Sequence, residues 1–259
     1  MSIRSILLFA PAESADPARG PAAYAIALAK AEGAKLSIFT VALDVTTPGR
    51  TTDAGAVAAA LSAAAAAAGV EHRLVTEHSH SIGVHEAVAA EARLHDLLIT
   101  GCSGEGLLSE RIVAEHLLFE TGRPLIVVPA SHAGGSTIGK LVAAWDHSRT
   151  AARALGDAML LFGNASVQLV AVEGEKALAS PLSAGDEQAA LAARGLGAIT
   201  ARQLNGRPIA AALQGEAAAL GADLLVMGGF GHSRMRSYVL GSATTGLFTE
   251  LTLPTLLSH

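Results

Sequence analysis

The sequence predicts two doubly wound α/β domains, each with a parallel five-stranded sheet, and three observations support this prediction. The chain has 259 residues, of which 51% are hydrophobic and 16% are charged, so it can bury one large core or two smaller ones. Two short motifs of the first half recur in the second half. Within each half, short apolar runs alternate with helical patterns, which is typical of strand–helix–strand units.

The first recurring motif is an apolar run that ends in glycine. Residues 96–101, Asp-Leu-Leu-Ile-Thr-Gly, recur as residues 223–228, Asp-Leu-Leu-Val-Met-Gly, 127 positions later. In each copy another glycine follows three residues on, at Gly104 and at Gly231. Such self-similarity at a fixed offset indicates a duplicated structural unit.

The second recurring motif sets the extent of the unit. The proline-led apolar run 124–128 recurs in kind at 254–258, 130 positions later, which places a three-residue deletion in a loop of the first copy. Residues 131–136, Ser-His-Ala-Gly-Gly-Ser, have the composition of a flexible linker. We therefore predict a first domain over residues 1–133 and a second domain over residues 134–259.

The elements of the second domain follow in order from its apolar runs. Five runs have the length of a strand, and a helical pattern separates each run from the next: residues 140–145, 167–172, 199–204, 223–227 and 255–257. The first helix places Leu155, Met159 and Phe162 on one face, and Gly163 follows as a stop signal. Pro208 opens the helix before the fourth strand, because proline is tolerated in a first turn.

The first domain shows the same alternation. Its first apolar run, residues 5–9, leads into a helical pattern as the run at 140–145 does. Its alanine-rich helix is bracketed by Asp53, a suitable N-cap, and by Gly69, a suitable residue just past the helix end. Crossovers between parallel strands are right-handed, so we expect helices on both faces of each sheet.

The glycine-rich segment after the fourth strand of the second domain carries the strongest functional signal. Doubly wound sheets bind ligands at the carboxyl ends of their strands, and residues 228–245 follow such an end. Residues 241–244 lead into the last helix, where unpaired N–H groups and hydroxyls suit a phosphate. Arg234 and Arg236 add positive charge nearby. The residues themselves therefore predict a phosphate site at 241–244.

The spacing of this segment separates it from two better-known phosphate loops. It is neither Gly-x-Gly-x-x-Gly after a first strand nor Gly-x-x-x-x-Gly-Lys-Ser/Thr, which excludes a dinucleotide fold and a P-loop. It matches Gly-x2-Gly-x9-Gly-Ser at Gly228, Gly231, Gly241 and Ser242. This pattern resembles the nucleotide-binding signature of the universal stress protein family, and the resemblance covers the whole chain as a tandem pair.

The resemblance implies a fold, a ligand and a set of binding residues. The implied fold is of the adenine nucleotide alpha hydrolase-like type, with a sheet of strand order 3-2-1-4-5. The implied ligand is ATP, and Mg²⁺ beside the phosphates stays an open alternative. Asp146 would contact the nucleoside, and the main chain of Val172 would meet adenine. The full set carried over by position is Asp146, Val172, Met227, Gly228, Gly231, Gly241, Ser242, Ala243 and Thr244.

The first domain departs from this pattern. Ala12 stands opposite Asp146, and Ile112, which has no hydroxyl to donate, stands opposite Ser242. Charge divides in the same way: residues 1–133 carry 9 basic and 14 acidic side chains, net −5, whereas the remaining residues carry 9 and 9. A polyphosphate favours the second domain, so we predict one nucleotide for each chain.

Composition argues against several partners and locations. The net charge of −5 and the 3% aromatic content disfavour nucleic acid. The charge-free stretch 54–70 is mostly alanine, and the apolar run 6–10 is too short for a secretory signal, so we predict no membrane span and a cytoplasmic protein. The single cysteine, Cys102, excludes an internal disulfide framework and fits a reducing compartment.

Four histidines raise the alternative of a metal site. His78 and His80 would share one face of a strand, with His72 and His85 nearby. Two histidines fall short of a closed site and no cysteine is close, so we predict no metal.

Other polar residues receive structural interpretations. We expect solvent exposure for His147 and His232, and a buried, inert thiol for Cys102. Asp146 has the alternative role of a helix N-cap, a role that Ser148 also suits.

The leading prediction is a non-enzymatic, ATP-binding stress-response protein in which the first domain is a packing partner of the second. The two domains would form a pseudo-dimer within one chain, and a homodimer of chains stays open. The alternative is an interaction scaffold without nucleotide. Slow ATP hydrolysis is disfavoured because no general base is evident beside the phosphates. The sequence leaves open which adenylate binds, and which stress or partner is involved.

Overall fold

The computed structural model describes residues 3–11, 15–42, 54–78, 83–104, 108–133, 135–173, 183–203, 208–229 and 251–259. The chain divides into two units, Met1–Thr137 and Ile138–His259, so the division falls one residue after the linker-like segment and four residues after the predicted boundary. The predicted α/β class with parallel strands is confirmed. No helix within the described ranges is both long and apolar enough to cross a membrane.

The first unit alternates strands and helices from its start. Its elements are β1 (Ser5–Phe9), α1 (Gly20–Glu32), β2 (Lys35–Ala42), α2 (Ala54–Ala67), β3 (His72–His78), α3 (Val84–Ala92), β4 (Leu97–Thr100), α4 (Glu110–Glu120) and β5 (Leu125–Val127). Hydrogen-bonded neighbours run in the order β3-β2-β1-β4-β5, and every pair is parallel. The side chains of β1 and β4 are buried almost throughout, which places the core of the unit around its central strands.

The second unit repeats this plan. Its elements are β6 (Lys140–Ala144), α5 (Arg149–Leu161), β7 (Ser166–Glu173), α6 (Ala184–Ala193), β8 (Thr200–Gln203), α7 (Ile209–Ala219), β9 (Leu224–Gly228) and β10 (Thr255–Ser258). Neighbouring strands run in the order β8-β7-β6-β9-β10, again all parallel. Numbered from its own first strand, each unit therefore has the order 3-2-1-4-5.

The aspartate of the recurring motif has the same structural role in both units. The Asp96 carboxylate accepts hydrogen bonds from the backbone N–H groups of Arg4 and Ser5 at 2.9 and 3.0 Å. The Asp223 carboxylate accepts from those of Gly139 and Lys140 at 2.9 Å each. Each aspartate thus ties the start of a fourth strand to the start of the first strand beside it, which explains why the motif begins with aspartate.

Helix ends mostly follow the sequence signals. Gly69 adopts a left-handed conformation with φ of 74° just past α2, whereas Asp53 lies outside the described residues. Leu155 and Phe162 are buried and Met159 is partly buried. Pro208 lies one residue before α7, at its N-cap position rather than in its first turn. Proline suits that position because the cap is not required to donate a helical hydrogen bond.

Candidate functional site

The carboxyl ends of β6, β7 and β9 lie at one edge of the second unit. β6 pairs in parallel with β7 on one side and with β9 on the other. The chain leaves β6 toward β7 through α5, and the strand on the opposite side belongs to a later crossover. β6 and β9 therefore flank the point where the strand order reverses, which is the usual ligand position in this class of fold.

Asp146 lies in the short connection between β6 and α5. Ser148 is the N-cap of α5, because its hydroxyl accepts a hydrogen bond from the N–H of Ala151 at 3.1 Å. The alternative role of Asp146 as the N-cap is therefore wrong. Its carboxylate instead accepts from the N–H of Ser148 at 3.0 Å, and the side chain is exposed. It keeps free acceptor capacity for a ligand.

His147 is not solvent-exposed as the sequence suggested. Its side chain is 19% exposed and its Nδ1 lies 3.2 Å from Glu187 Oε1 at the start of α6. The same nitrogen lies 3.3 Å from Nε1 of Trp145, and the two rings meet edge to face with centroids 5.8 Å apart. The expectation failed because Glu187 is far along the chain, and only the tertiary fold brings it to this edge.

The main chain of Val172 extends past the end of β6. β6 pairs with β7 up to Ala144 opposite Val170, and the N–H of Trp145 donates to the carbonyl of Val170 at 2.8 Å. Residues two apart on a strand direct their N–H and C=O to the same neighbour. Val172 therefore directs its polar backbone groups toward the space just beyond the end of β6, on the same side as Trp145.

Met227 and Gly228 end β9 at this edge. Met227 is 4% exposed, so its side chain belongs largely to the core. A Cβ added at Gly228 would lie only 2.5 Å from backbone atoms of Thr150 and Ala151. The start of α5 therefore requires glycine at this position, which is a packing reason distinct from room for a ligand.

Ser258 is a polar residue of this edge that the sequence pattern missed. It ends β10 directly opposite Gly228, and its carbonyl accepts from the N–H of Gly229 at 2.7 Å. Its hydroxyl is buried and has no hydrogen-bond partner among the described residues. The hydroxyl of Thr100, which ends the corresponding fourth strand of the first unit, is also buried without a partner among the described residues, so this feature does not distinguish the two units.

The phosphate end of the predicted site is outside the described part of the chain. This applies to Gly231, Gly241, Ser242, Ala243 and Thr244, and also to His232. Asp146, Val172, Met227 and Gly228, by contrast, lie within the described residues. Asp146, Val172 and Gly228 follow or end neighbouring strands, so an exposed carboxylate and main-chain polar groups share one edge of the unit.

The corresponding strand end of the first unit holds one of the protein's own carboxylates. Glu110 begins α4, is 2% exposed, and accepts hydrogen bonds from both the N–H (3.0 Å) and the hydroxyl of Ser103. A Cβ added at Gly101 would collide with this carboxylate. Burial, with a smaller contribution from the charge of Glu110, raises the pKa of the partly buried Cys102 to about 11. The thiol is therefore protonated at neutral pH, which agrees with the expected inert state.

The histidines considered for a metal have other contacts. His72 bonds through Nε2 to the Ser62 hydroxyl at 2.7 Å and through Nδ1 to the Val70 carbonyl at 3.0 Å. His85 lies 5.2 Å, ring to ring, from His116. The model describes His78 only as the last residue of β3, and His80 lies outside the described residues. Across the described ranges, no group of three or more His, Cys, Asp and Glu side chains is arranged to hold a metal.

Comparison with known proteins finds a family match in the second unit and similar structures over nearly the whole chain. Residues 137–259 match the family model described as the universal stress protein family. A universal stress protein from Archaeoglobus fulgidus DSM 4304 is similar in structure, with 15% identity, 97% of this chain and 95% of that chain covered, and a TM-score of 0.67. A putative universal stress protein from Pseudomonas aeruginosa UCBPP-PA14 is also similar, with 18% identity, 99% of this chain and 93% of that chain covered, and a TM-score of 0.63. No curated protein matches the chain.

Proposed function

We propose that this chain, whose residues 137–259 match the universal stress protein family model, binds an adenine nucleotide, in the first instance ATP, at the carboxyl edge of its second unit. One observation carries the proposal. Asp146, the backbone of Val172 and the start of the glycine-rich segment at Gly228 all lie at the end of neighbouring strands. The spacing from Gly228 to Ser242 resembles the nucleotide-binding signature of the family.

Charge orients the proposed ligand. Asp146 is exposed, and Glu187 lies 3.2 Å from the neighbouring His147. Two carboxylates repel phosphates and attract ribose hydroxyls and base amino groups, which are hydrogen-bond donors. The phosphates would then extend toward residues 241–244, with Arg234 and Arg236 as sources of positive charge. Any Mg²⁺ would accompany the phosphates at that end.

The first unit is proposed as a packing partner that binds no nucleotide. Glu110 places a negative charge against Ser103 and Gly101, at the strand end where a phosphate would otherwise approach. A second anion at this position would meet direct repulsion in a buried environment. One nucleotide for each chain is the stoichiometry that follows.

The proposed role is regulatory. The sequence offers no evident general base beside the phosphates, so the nucleotide would act by favouring one arrangement of the protein over another. Such a shift alters the surface offered to a partner protein without any bond being broken. A scaffold without nucleotide is the competing function, and nucleotide binding itself separates the two.

The test is a titration of the full chain with ATP. The chain has a single tryptophan, Trp145, so its fluorescence reports on this edge alone, and calorimetry gives the stoichiometry. We expect about one ATP per chain, and a loss of affinity of about tenfold or more in Asp146→Asn, because a hydrogen bond to a charged group is removed. Asp157→Asn is the matched control, since that carboxylate pairs with Arg153 on the side of α5.

Three results would contradict the proposal in different ways. Absence of binding at millimolar ATP favours the scaffold. Two equivalent sites would show that Glu110 does not exclude nucleotide from the first unit. Equal weakening by Asp146→Asn and Asp157→Asn would show that only overall charge matters.

A further inference from the structure

Three side chains form one connected polar group at the end of β6. Trp145 Nε1 and Glu187 Oε1 both lie within hydrogen-bond distance of one atom, Nδ1 of His147, at 3.3 and 3.2 Å. The group lies beside the carboxyl end of β7, because the N–H of Trp145 donates to Val170. The group therefore begins at the strand end where Val172, two residues after Val170, directs its backbone groups, and there the base of the proposed nucleotide would lie.

The backbone of His147 is held in an unfavourable conformation. Its φ is 60°, and among the described residues no other non-glycine residue has a positive φ. This left-handed conformation is unfavourable for a residue with a Cβ. Residues held this way are enriched at binding sites, where the surrounding structure maintains them for a purpose other than stability.

The chemistry of imidazole leaves one group of the three unsatisfied. If Nδ1 carries a hydrogen, it donates to Glu187 and cannot accept from the Trp145 indole N–H. If Nδ1 carries a lone pair, it accepts from Trp145 and leaves the Glu187 carboxylate without that donor. Either the Trp145 donor or a Glu187 acceptor is therefore left without a partner inside this group, and both ends of the group are only partly buried.

We infer that Glu187, positioned by His147, contacts the base and selects a purine with an exocyclic amino group at C6 over one with a carbonyl there; this inference rests on the proposed nucleotide site. The amino group of adenine donates hydrogen bonds, which suits a carboxylate. The carbonyl of hypoxanthine only accepts, and its N1 carries a hydrogen, so in the same orientation the carboxylate faces an acceptor and the Trp145 N–H faces a donor. Trp145 N–H supplies the donor that an adjacent ring nitrogen accepts.

The test compares ATP with ITP, whose base has a carbonyl at C6 and a hydrogen on N1 where adenine has an amino group and a lone pair. Both are titrated into the full chain by calorimetry, and the ratio of their dissociation constants is the readout. We expect the wild-type chain to prefer ATP by about tenfold or more, since a mismatched buried hydrogen-bonding group typically costs that much or more. In Glu187→Gln the preference should fall to within about threefold, because an amide presents either a donor or an acceptor.

Two further variants make the result specific. Asp186→Asn removes the same charge one residue earlier on α6, where the carboxylate accepts from the Ser183 hydroxyl at 2.7 Å, and it should keep the wild-type preference. His147→Asn should lower the preference as Glu187→Gln does, because asparagine tolerates the positive φ but does not reproduce the imidazole.

Each remaining outcome contradicts either the selection by Glu187 or the proposed nucleotide site. A wild-type chain that binds ATP and ITP equally contradicts the selection by Glu187 while leaving the nucleotide site intact. An unchanged preference in a folded Glu187→Gln chain does the same. A wild-type chain that binds neither nucleotide contradicts the proposed function itself, so the two failures are distinguishable.

Discussion

The two units keep one strand order but differ at the same edge. In the first unit, residues 10–19 connect β1 to α1, and Glu110 lies buried against the end of β4. In the second unit, only residues 145–148 make the corresponding connection, and the start of α5 packs on Gly228. The shared features, such as Asp96 and its counterpart, maintain the fold, whereas the differing features surround the strand ends where we propose that a ligand binds. The two units thus share one scaffold and differ at the proposed site.

The largest expected effect comes from substituting the glycine that follows or ends the fourth strand of each unit. Gly228→Ala should destabilise the second unit by about 2–3 kcal/mol, because the added methyl group meets backbone atoms of α5 that have no room to move. Gly101→Ala should cost less, because its obstacle is the end of the Glu110 side chain. Urea unfolding followed by far-UV circular dichroism measures both.

The glycine test has an internal control on α7. Gly215 is exposed, and an added Cβ meets nothing within 4 Å. Gly215→Ala should therefore stabilise the chain by about 0.5–1 kcal/mol through helix propensity. Equal losses in Gly228→Ala and Gly101→Ala would refute the proposed difference in packing.

The second test is acid sensitivity, which should arise in the first unit. Burial lowers the pKa of His95 to about 4, and its ring bonds to the Ser37 hydroxyl at 2.8 Å and the Glu91 carbonyl at 2.9 Å. The fold therefore holds His95 neutral, while the unfolded chain takes up a proton as the pH falls below about 6.5. Stability is full above that pH and declines toward pH 4.

The expected loss between pH 7 and pH 5 is about 2 kcal/mol. Hydrogen exchange should locate it in the first unit. Burial also lowers the pKa of His116, which adds a change of the same sign. His95→Gln removes one titrating group and should flatten the pH dependence; a variant as acid-sensitive as the wild-type chain would rule out this source.

The smallest expected effect concerns the helix caps of the two units. Ser148 caps α5 with a hydrogen bond of 3.1 Å, and Ser109 caps α4 with one of 3.4 Å. Ser148→Ala should cost about 1 kcal/mol and Ser109→Ala about half of that, because the longer bond is weaker. Thermal unfolding measures both, and a larger loss in Ser109→Ala would reverse the comparison.

Much of the fold was predictable because it depends on local pattern. Apolar runs and glycine or proline signals predicted the bounds of all five strands of the second unit to within one or two residues. The recurring motifs predicted that the first unit has the same plan. The glycine at 69 was predictable because few residues adopt a positive φ at a helix end. Helix starts were less certain, since Ser148 and Asp146 are equally suitable caps and only geometry distinguishes them.

The candidate site was predictable in part. Asp146 and Gly228 stand at strand ends, a position that the sequence reveals. Trp145 also stands there, and a lone tryptophan directly before the aspartate was a signal that could have been used. Glu187 and Ser258 gave no such signal, because their importance depends on neighbours from distant parts of the chain.

The sequence by itself determined the duplication, the alternation of strands and helices, and the half of the chain that carries the nucleotide signature. These properties depend on local sequence patterns, since periodicity and turn chemistry act over a few residues. The tertiary structure alone decided that Glu110 fills the edge of one unit, and that His147 joins Trp145 to Glu187 in the other. Side chains far apart in sequence meet only after strands pair and helices pack, so their charges and hydrogen bonds combine only in the folded chain.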